Sequence, residues 1–132
     1  MSLGGLAYLD SSAIVKLAVP EPESIAFGAW RTDRHAVTSL VAITEVLRAV
    51  RRERDGSVPF ALSALDRIAR IPVDDDLVML AAELRPPALR SLDALHLATA
   101  LALRDVLDAF VTYDGRLADA ARDAGLPVVV PR

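Results

Sequence analysis

The chain has 132 residues, of which 53% are hydrophobic, and a formal net charge of −3 at pH 7. This composition is typical of a globular protein and excludes a disordered one, and the length fits one domain over residues 1–132. The acidic balance argues against a protein that holds nucleic acid by bulk electrostatics. The absence of cysteine excludes disulfides, a thiolate nucleophile and a zinc–thiolate site.

The sequence also makes a location in the cytoplasm the expected one. No apolar stretch approaches the roughly 18–20 residues that a membrane-spanning helix needs, and no basic segment precedes a long apolar run as in a signal peptide. The lack of cysteine favours the same reducing compartment. Residues 1–5 (MSLGG) are interpreted as partly derived from a cloning vector and receive no functional role.

Five short apolar runs predict β-strands, because each is bounded by turn residues or by the start of a helical pattern. They lie at residues 6–9, 35–38, 71–73, 109–112 and 128–130. Pro72 interrupts the third run and places that strand at an edge of the sheet, since proline cannot donate a ladder hydrogen bond.

The segments between these runs predict helices, because their apolar residues recur at spacings of three and four. The predicted helices cover residues 11–17, 21–30, 40–54, a segment that starts near residue 59, 74–84, 92–104 and 114–125. Strands that alternate with helices indicate a parallel sheet covered on both faces. The predicted fold is therefore a three-layer α/β/α domain with a central, mainly parallel, five-stranded sheet.

Four acidic residues occupy positions where such a fold places functional groups. Asp10 ends the first strand, Asp114 follows the fourth, and Asp93 lies in the first turn of a helix. In open parallel sheets ligands bind beyond the carboxyl ends of the strands, where the strand order reverses. Glu45 lies mid-helix among apolar residues, where a carboxylate is costly unless it is paired or bound to a metal. Convergent carboxylates would suit Mg²⁺ or Mn²⁺, which prefer oxygen ligands.

Each acid also has an ordinary structural interpretation, and these alternatives stay open from the residues alone. Asp10 and Asp114 fit the N-caps of the helices that follow them. Asp93 is favoured in a first turn by the helix dipole whatever its function. Glu45 is placed for an ordinary ion pair with Arg48, three residues on. Position alone makes a catalytic site plausible and does not establish one.

The sequence around each acid carries a further signal. The four segments are YLDSSAIVKL (8–17), SLVAITEVLRA (39–49), LRSLDALHLATA (89–100) and VTYDGRL (111–117). In this order they resemble the four motifs of PIN domains, and specifically of the VapC toxins of bacterial and archaeal toxin–antitoxin systems. The resemblance covers the whole chain, and four ordered motifs are far more specific than any one of them.

The resemblance implies a metal-dependent endoribonuclease with Mg²⁺ or Mn²⁺ in an acidic pocket. Asp10 and Asp93 are assigned as principal metal ligands, and Glu45 and Asp114 as ligands or water-mediated partners. The hydroxyls of Ser11 and Thr112 are candidates for orienting these carboxylates, with capping and turn formation an equally good explanation of both.

The resemblance also implies partners. The substrate would be structured RNA, often transfer or ribosomal RNA, and a cognate VapB-type antitoxin would occlude the site. Homodimerisation and a hetero-oligomer with the antitoxin are expected, with operator DNA contacted only through the antitoxin and no membrane involved.

Several other residues are weighed against simpler roles. The acidic run at residues 74–76 is interpreted as a capping segment. His96 follows Asp93 by three residues, and packing is favoured for it over a place in the pocket. Arginines at positions 48, 51, 52 and 54 would either grip RNA or the antitoxin, or simply complement a helix end. For Trp30 packing is the favoured role.

Three other functions are considered as alternatives. A non-catalytic PIN-like module that binds a protein partner is the alternative from a different class. A phosphohydrolase with an aspartyl-phosphate would want a second aspartate two residues after the nucleophile, where Ser12 stands, and a phospho-receiver domain would need a lysine on a late strand, whereas Lys16 is the only lysine of the chain.

Overall fold

A computed structural model describes residues 5–132, so residues 1–4 of the segment assigned to a vector lie outside the described residues. Four parallel strands form one sheet with the order β3-β2-β1-β4. The strands are β1 (Leu6–Leu9), β2 (His35–Ser39), β3 (Ala69–Ile71) and β4 (Leu107–Val111).

Seven helices connect and cover these strands in the part of the chain that the structure describes. They are α1 (Ser11–Val15), α2 (Ser24–Arg31), α3 (Ala42–Arg54), α4 (Val58–Asp66), α5 (Asp75–Glu83), α6 (Ser91–Ala102) and α7 (Gly115–Asp123). None of them is long and apolar enough to cross a membrane.

The alternation of side chains along β1 divides the core into two layers. Ala7 and Leu9 belong to one apolar cluster, together with residues of α1 to α4. Tyr8 points to the opposite face and belongs to a second cluster with Phe110 and residues of α6 and α7. Because successive side chains of a strand face opposite sides of the sheet, both faces of β1 are covered. The predicted three-layer α/β/α fold is confirmed.

The predicted fifth strand at residues 128–130 is wrong. This segment makes one isolated parallel bridge, between Phe110 and Val128, supported by hydrogen bonds from Phe110 N to Pro127 O and from Val129 N to Phe110 O. Pro127 and Pro131 stand on either side of the segment, and neither has a backbone N–H to donate to a ladder. The short apolar run therefore lies along β4 without extending the sheet, which has four strands within residues 5–132.

Three helix starts also differ from the prediction. The second helix begins at Ser24 instead of at residue 21. The third helix begins at Ala42 because Ser39 is still part of β2, and its N-cap is Val41, which forms no side-chain cap. The sixth begins at Ser91, with Arg90 as an N-cap that likewise forms no side-chain hydrogen bond. Strand β3 lies at the edge as predicted. However, it covers Ala69–Ile71 and not residues 71–73, so Pro72 follows the strand and does not interrupt it.

The strand order places the reversal point beside β1. From β1 the chain moves outward to β2 and β3, then returns across the sheet to pair β4 with the other side of β1. The loops after β1 and β4 therefore leave from the same carboxyl edge as neighbours. These are the loops that hold Asp10 and Asp114.

Candidate active site

A cavity of about 800 Å³ opens at the carboxyl edge of β1 and β4. All four acids predicted from the sequence line it, although they come from segments spread over more than a hundred residues. The same cavity is lined by Ser11, and its other charged or ionisable lining residues include Lys16, Arg48, Arg52, Arg90 and His96.

Asp10 is the most enclosed of the four acids, with 3% of its surface exposed. Its Oδ1 accepts hydrogen bonds from Ala13 N at 3.0 Å and from Ser12 Oγ at 2.7 Å, while Oδ2 accepts one from Thr112 Oγ1. Burial raises the pKa of Asp10, and these hydrogen bonds only partly counteract it. The residue is the N-cap of α1, so its capping role is confirmed. The cap engages one carboxylate oxygen, and the second reaches across to the loop after β4.

Glu45 lies in the first turn of α3 and faces the cavity. Its Oε1 accepts hydrogen bonds from Ser11 Oγ at 2.8 Å and from His96 Nε2 at 2.7 Å. Burial acts to raise the pKa of Glu45, yet the hydrogen bonds from His96 and Ser11 and the charge of His96 outweigh it and lower the pKa. Within residues 5–132 the side-chain partners of Glu45 are His96 and Ser11, and Glu45 forms no ion pair with Arg48, so the surface-pair interpretation is wrong.

Asp93 and Asp114 are joined by one arginine. The Arg90 guanidinium places Nε 3.5 Å from Asp93 Oδ2 and a terminal nitrogen 3.3 Å from Asp114 Oδ2. Burial raises the pKa of Asp93, and the neighbouring charge of Asp114 raises it further. Asp114 also caps α7, because its Oδ1 accepts from the backbone N–H groups of Arg116 and Leu117.

Arg90 was not identified from the sequence as a site residue. Its only signal was the spacing of three to Asp93 at a helix start, which places both side chains on the same face. The link to Asp114 spans 24 residues and depends on the fold.

The interpretation of His96 as a packing residue explains only some of its contacts. The side chain is buried, with 1% exposed, as expected of a packing residue. However, Nε2 contacts Glu45 and Nδ1 lies 2.7 Å from the hydroxyl of Tyr8. The spacing of three from Asp93 was the available signal, because it places both residues on one face of α6.

The two hydroxyls proposed to orient the acids do contact them. Ser11 donates to Glu45, and Thr112 donates to Asp10. The turn-forming role of Thr112 is present as well, since its Oγ1 accepts from Asp114 N at 3.1 Å. One buried threonine therefore connects the loop after β1 with the loop after β4.

The other residues considered in the sequence analysis have simple structural roles or line the cavity. Asp74 caps α5 by accepting from Leu77 N at 2.9 Å, which confirms the capping interpretation of the acidic run. Trp30 packs between the ring of Phe27 and the guanidinium of Arg34. Of the basic cluster, Arg48 and Arg52 are the members that line the cavity.

The donor set fits a hard divalent cation. Carboxylate and hydroxyl oxygens are the ligands that Mg²⁺ and Mn²⁺ prefer, and the mutual repulsion that raises the pKa of Asp93 is what a cation relieves. Among residues 5–132 no three acidic or histidine side chains already stand in the arrangement of a metal site. Each carboxylate is instead engaged by a neighbour: Asp10 by Thr112 and Ser12, Glu45 by His96, and Asp93 and Asp114 by Arg90.

Comparison with known proteins gives a consistent result. The family model of the PIN domain matches residues 7–123. Ribonuclease VapC46 of Mycobacterium tuberculosis is 45% identical over 125 residues, covering 94% of this chain and 96% of the relative. Ribonuclease VapC35 of the same species is 43% identical over 131 residues, covering 96% and 97%. A toxin–antitoxin complex from Klebsiella pneumoniae contains a chain with a TM-score of 0.68 and 26% identity, covering 96% of this chain and 98% of that one.

The chain therefore belongs to the PIN-domain family, in the group of ribonucleases named VapC. The cavity with its four acids lies inside the matched region, since residues 10 to 114 fall within residues 7–123.

The buried Thr112 hydroxyl gives a direct test of how the two loops are joined. Replacing Thr112 by valine keeps the shape but removes the donor to Asp10, so the free energy of unfolding should fall by about 1.5–3 kcal/mol, the range for a hydrogen bond to a charged group. Denaturant unfolding measures the change. Thr32→Val is the matched control, because its exposed hydroxyl bonds only the carbonyl of Gly28 in its own helix, and it should stay within about 0.5 kcal/mol. Equal losses in the two variants would contradict this account.

Proposed function

We propose that the chain is the toxin of a type II toxin–antitoxin system, and that it hydrolyses phosphodiester bonds of structured RNA with Mg²⁺ or Mn²⁺ held by its four acids. One observation carries the proposal: Asp10, Glu45, Asp93 and Asp114 line a single cavity in a chain of the VapC ribonuclease group. Transfer and ribosomal RNA are the substrate classes that the family resemblance favours.

The four carboxylates would hold the cation in two different ways. Asp10 and Asp93 would be the principal ligands, with Glu45 and Asp114 as further ligands or as partners through water. When bound, the ion lowers the pKa of a water molecule and neutralises charge on the phosphodiester. The protein holds the carboxylates in place: Thr112 and the N-terminus of α1 fix Asp10, and Ser11 fixes Glu45.

Binding of RNA has to depend on local positive charge, because the net charge of the chain is −3. Arg48 and Arg52 are exposed on α3, one turn apart, and both line the cavity beside the acids. Arginine suits bidentate contacts with phosphate oxygens. Arg90 is also exposed, lines the same cavity and is the N-cap of α6. These three side chains would hold the RNA backbone while the acids act on one linkage.

A cognate antitoxin is part of the same proposal. The chain resembles one whose solved structure is described as a toxin–antitoxin complex, at 26% identity. A VapB-type antitoxin that covers the cavity would neutralise the enzyme without changing its fold. The homodimer, the hetero-oligomer with the antitoxin, and contact with operator DNA through the antitoxin stay predictions from the family.

Substitution of the principal ligands tests the catalytic assignment. Asp10→Asn and Asp93→Asn keep the shape and remove the charge, and each should lower the rate of RNA cleavage by about 100-fold or more, because a tenfold change corresponds to about 1.4 kcal/mol and a metal ion supplies several kcal/mol. Asp105→Asn, at an exposed aspartate away from the cavity, should cleave like the wild type. The measurement is the initial rate on a fluorescent structured RNA with Mg²⁺ or Mn²⁺ present. Full activity in Asp10→Asn would show that the assigned site is wrong.

Removal of the metal tests the cofactor separately. Wild-type cleavage should stop in EDTA and return when Mg²⁺ or Mn²⁺ is added in excess, because without the cation nothing activates water beside the four carboxylates. Circular dichroism recorded in the same buffers shows whether the fold is unchanged. Undiminished cleavage in EDTA would contradict the proposal for the metal while leaving the family assignment intact.

The antitoxin is tested through the neighbouring reading frame. Co-expression of a small adjacent open reading frame with a tagged copy of this chain should yield a stable complex on size-exclusion chromatography, and the complex should cleave RNA more slowly than the free chain. A complex that retains full cleavage would argue against occlusion of the cavity.

A further inference from the structure

We propose that His96 is a positioning residue for the acidic site: it fixes the carboxylate of Glu45 through a buried chain of hydrogen bonds anchored in the sheet. The inference rests on the proposed function in one respect, since it takes Glu45 as part of the catalytic pocket. The chain of contacts itself is independent of any metal or substrate.

The chain of hydrogen bonds begins at the end of β2. Ser39 N donates to the hydroxyl oxygen of Tyr8 at 3.0 Å, the Tyr8 hydroxyl lies 2.7 Å from His96 Nδ1, and His96 Nε2 lies 2.7 Å from Glu45 Oε1. Tyr8 is fully buried in the middle of β1, and His96 is almost so. Three contacts therefore connect the backbone of two neighbouring strands to one carboxylate of the cavity.

The chemistry of the groups fixes the direction of each hydrogen bond. An ionised carboxylate can only accept, so the Nε2 atom of His96 must carry a proton and donate it to Glu45. In the neutral imidazole the other nitrogen, Nδ1, is then an acceptor and receives the proton of the Tyr8 hydroxyl. The Tyr8 oxygen in turn accepts from Ser39 N. For a neutral His96 these partners favour the tautomer with the proton on Nε2, which also lies 3.2 Å from Ser11 Oγ.

The aromatic rings hold this arrangement in place. Tyr8 stacks on Phe110 with ring centroids 5.4 Å apart and planes inclined by 5°. The ring of His96 meets Tyr8 edge-on at 5.8 Å. Tyr8 and Phe110 are fully buried on the neighbouring strands β1 and β4, and His96 is 1% exposed. Close packing around these three rings therefore restricts their rotation.

The hydrogen bond from His96 constrains one of the two carboxylate oxygens of Glu45. Both of its hydrogen bonds, from His96 and from Ser11, go to Oε1, and within residues 5–132 none goes to Oε2. One oxygen is thus held by the protein while the other remains available in the cavity. Partners that orient a ligating carboxylate in this way typically contribute 10–100-fold to metal affinity or activity.

Two substitutions at position 96 distinguish positioning from packing. In His96→Gln the amide nitrogen extends about as far as Nε2 and can still donate to Glu45, whereas in His96→Asn it extends only as far as Nδ1 and cannot reach. With Mg²⁺ at saturation, His96→Asn should lower kcat on a fluorescent structured RNA by about 10–100-fold. His96→Gln should recover at least about tenfold of that loss. KM should change by less than about threefold in both, because Arg48 and Arg52 are untouched.

The control and the contrary outcomes are specific. His35→Asn, at the exposed start of β2, should leave kcat unchanged. Positioning by His96 is overturned if both variants fold, as judged by circular dichroism, and reduce kcat equally. It is also overturned if neither variant reduces kcat. If these variants fail to fold, Tyr8→Phe tests the same chain of hydrogen bonds. It keeps the ring but removes the hydroxyl that accepts a hydrogen bond from Ser39 N and donates one to His96. This variant should lower kcat and leave KM unchanged. An unchanged kcat in Tyr8→Phe overturns the chain of hydrogen bonds.

A measurement on the wild-type protein separates this inference from the proposed function. With ¹⁵N-labelled histidine, nuclear magnetic resonance should show one ring N–H proton that is shifted downfield and exchanges slowly with water, and Glu45→Gln should move it. The absence of such a proton overturns the inference even if RNA is cleaved. A protein that shows the proton but cleaves no RNA contradicts the proposed function and leaves the hydrogen bond to Glu45 intact.

Discussion

A carboxylate removed from water needs donors around it, and Asp10 receives them from separate stretches of chain. The backbone of α1 supplies one, Ser12 supplies a second, and Thr112 supplies a third from beyond β4. Because an uncompensated buried charge is costly, these hydrogen bonds favour a structure in which the loops after β1 and β4 stay together. The neighbouring strands β1 and β4 make this possible, and the same closeness brings Asp114 to the cavity. The arrangement of the acidic cavity and the stability of the carboxyl edge of the sheet thus have one origin.

Capping a helix and lining the cavity are not competing roles in this molecule. Asp10 and Asp114 each use one carboxylate oxygen to cap a helix, and their second oxygens contact Thr112 and Arg90. Helix starts and strand ends share one edge of a parallel sheet, so a residue that satisfies backbone N–H groups is also placed to face a ligand. The backbone bonds restrict the rotamers of both aspartates, which prepares them for a defined geometry.

The sequence predicted the layers, the parallel sheet and the edge position of β3, because strand periodicity and proline placement are local signals. It also placed Asp10 and Asp114 near one another. Glu45 came from the motif resemblance rather than from spacing, and bare pattern analysis suggested Arg48 as its partner. The fifth strand was predicted in error because an apolar run was given more weight than the prolines on both sides of it. The contacts of His96 were hidden for another reason: Tyr8 and His96 are 88 residues apart in the chain, and only the packed fold brings them together.

The central claim is that the four carboxylates form a cation site, and diffraction from crystals grown with Mn²⁺ tests it most directly. We expect an anomalous difference peak inside the cavity, bonded to oxygen atoms of Asp10 and Asp93, with the Arg90 guanidinium displaced from Asp93. Crystals of Asp10→Asn grown in the same way should lack the peak. A wild-type cavity without Mn²⁺, at concentrations at which the enzyme cleaves RNA, would contradict the claim.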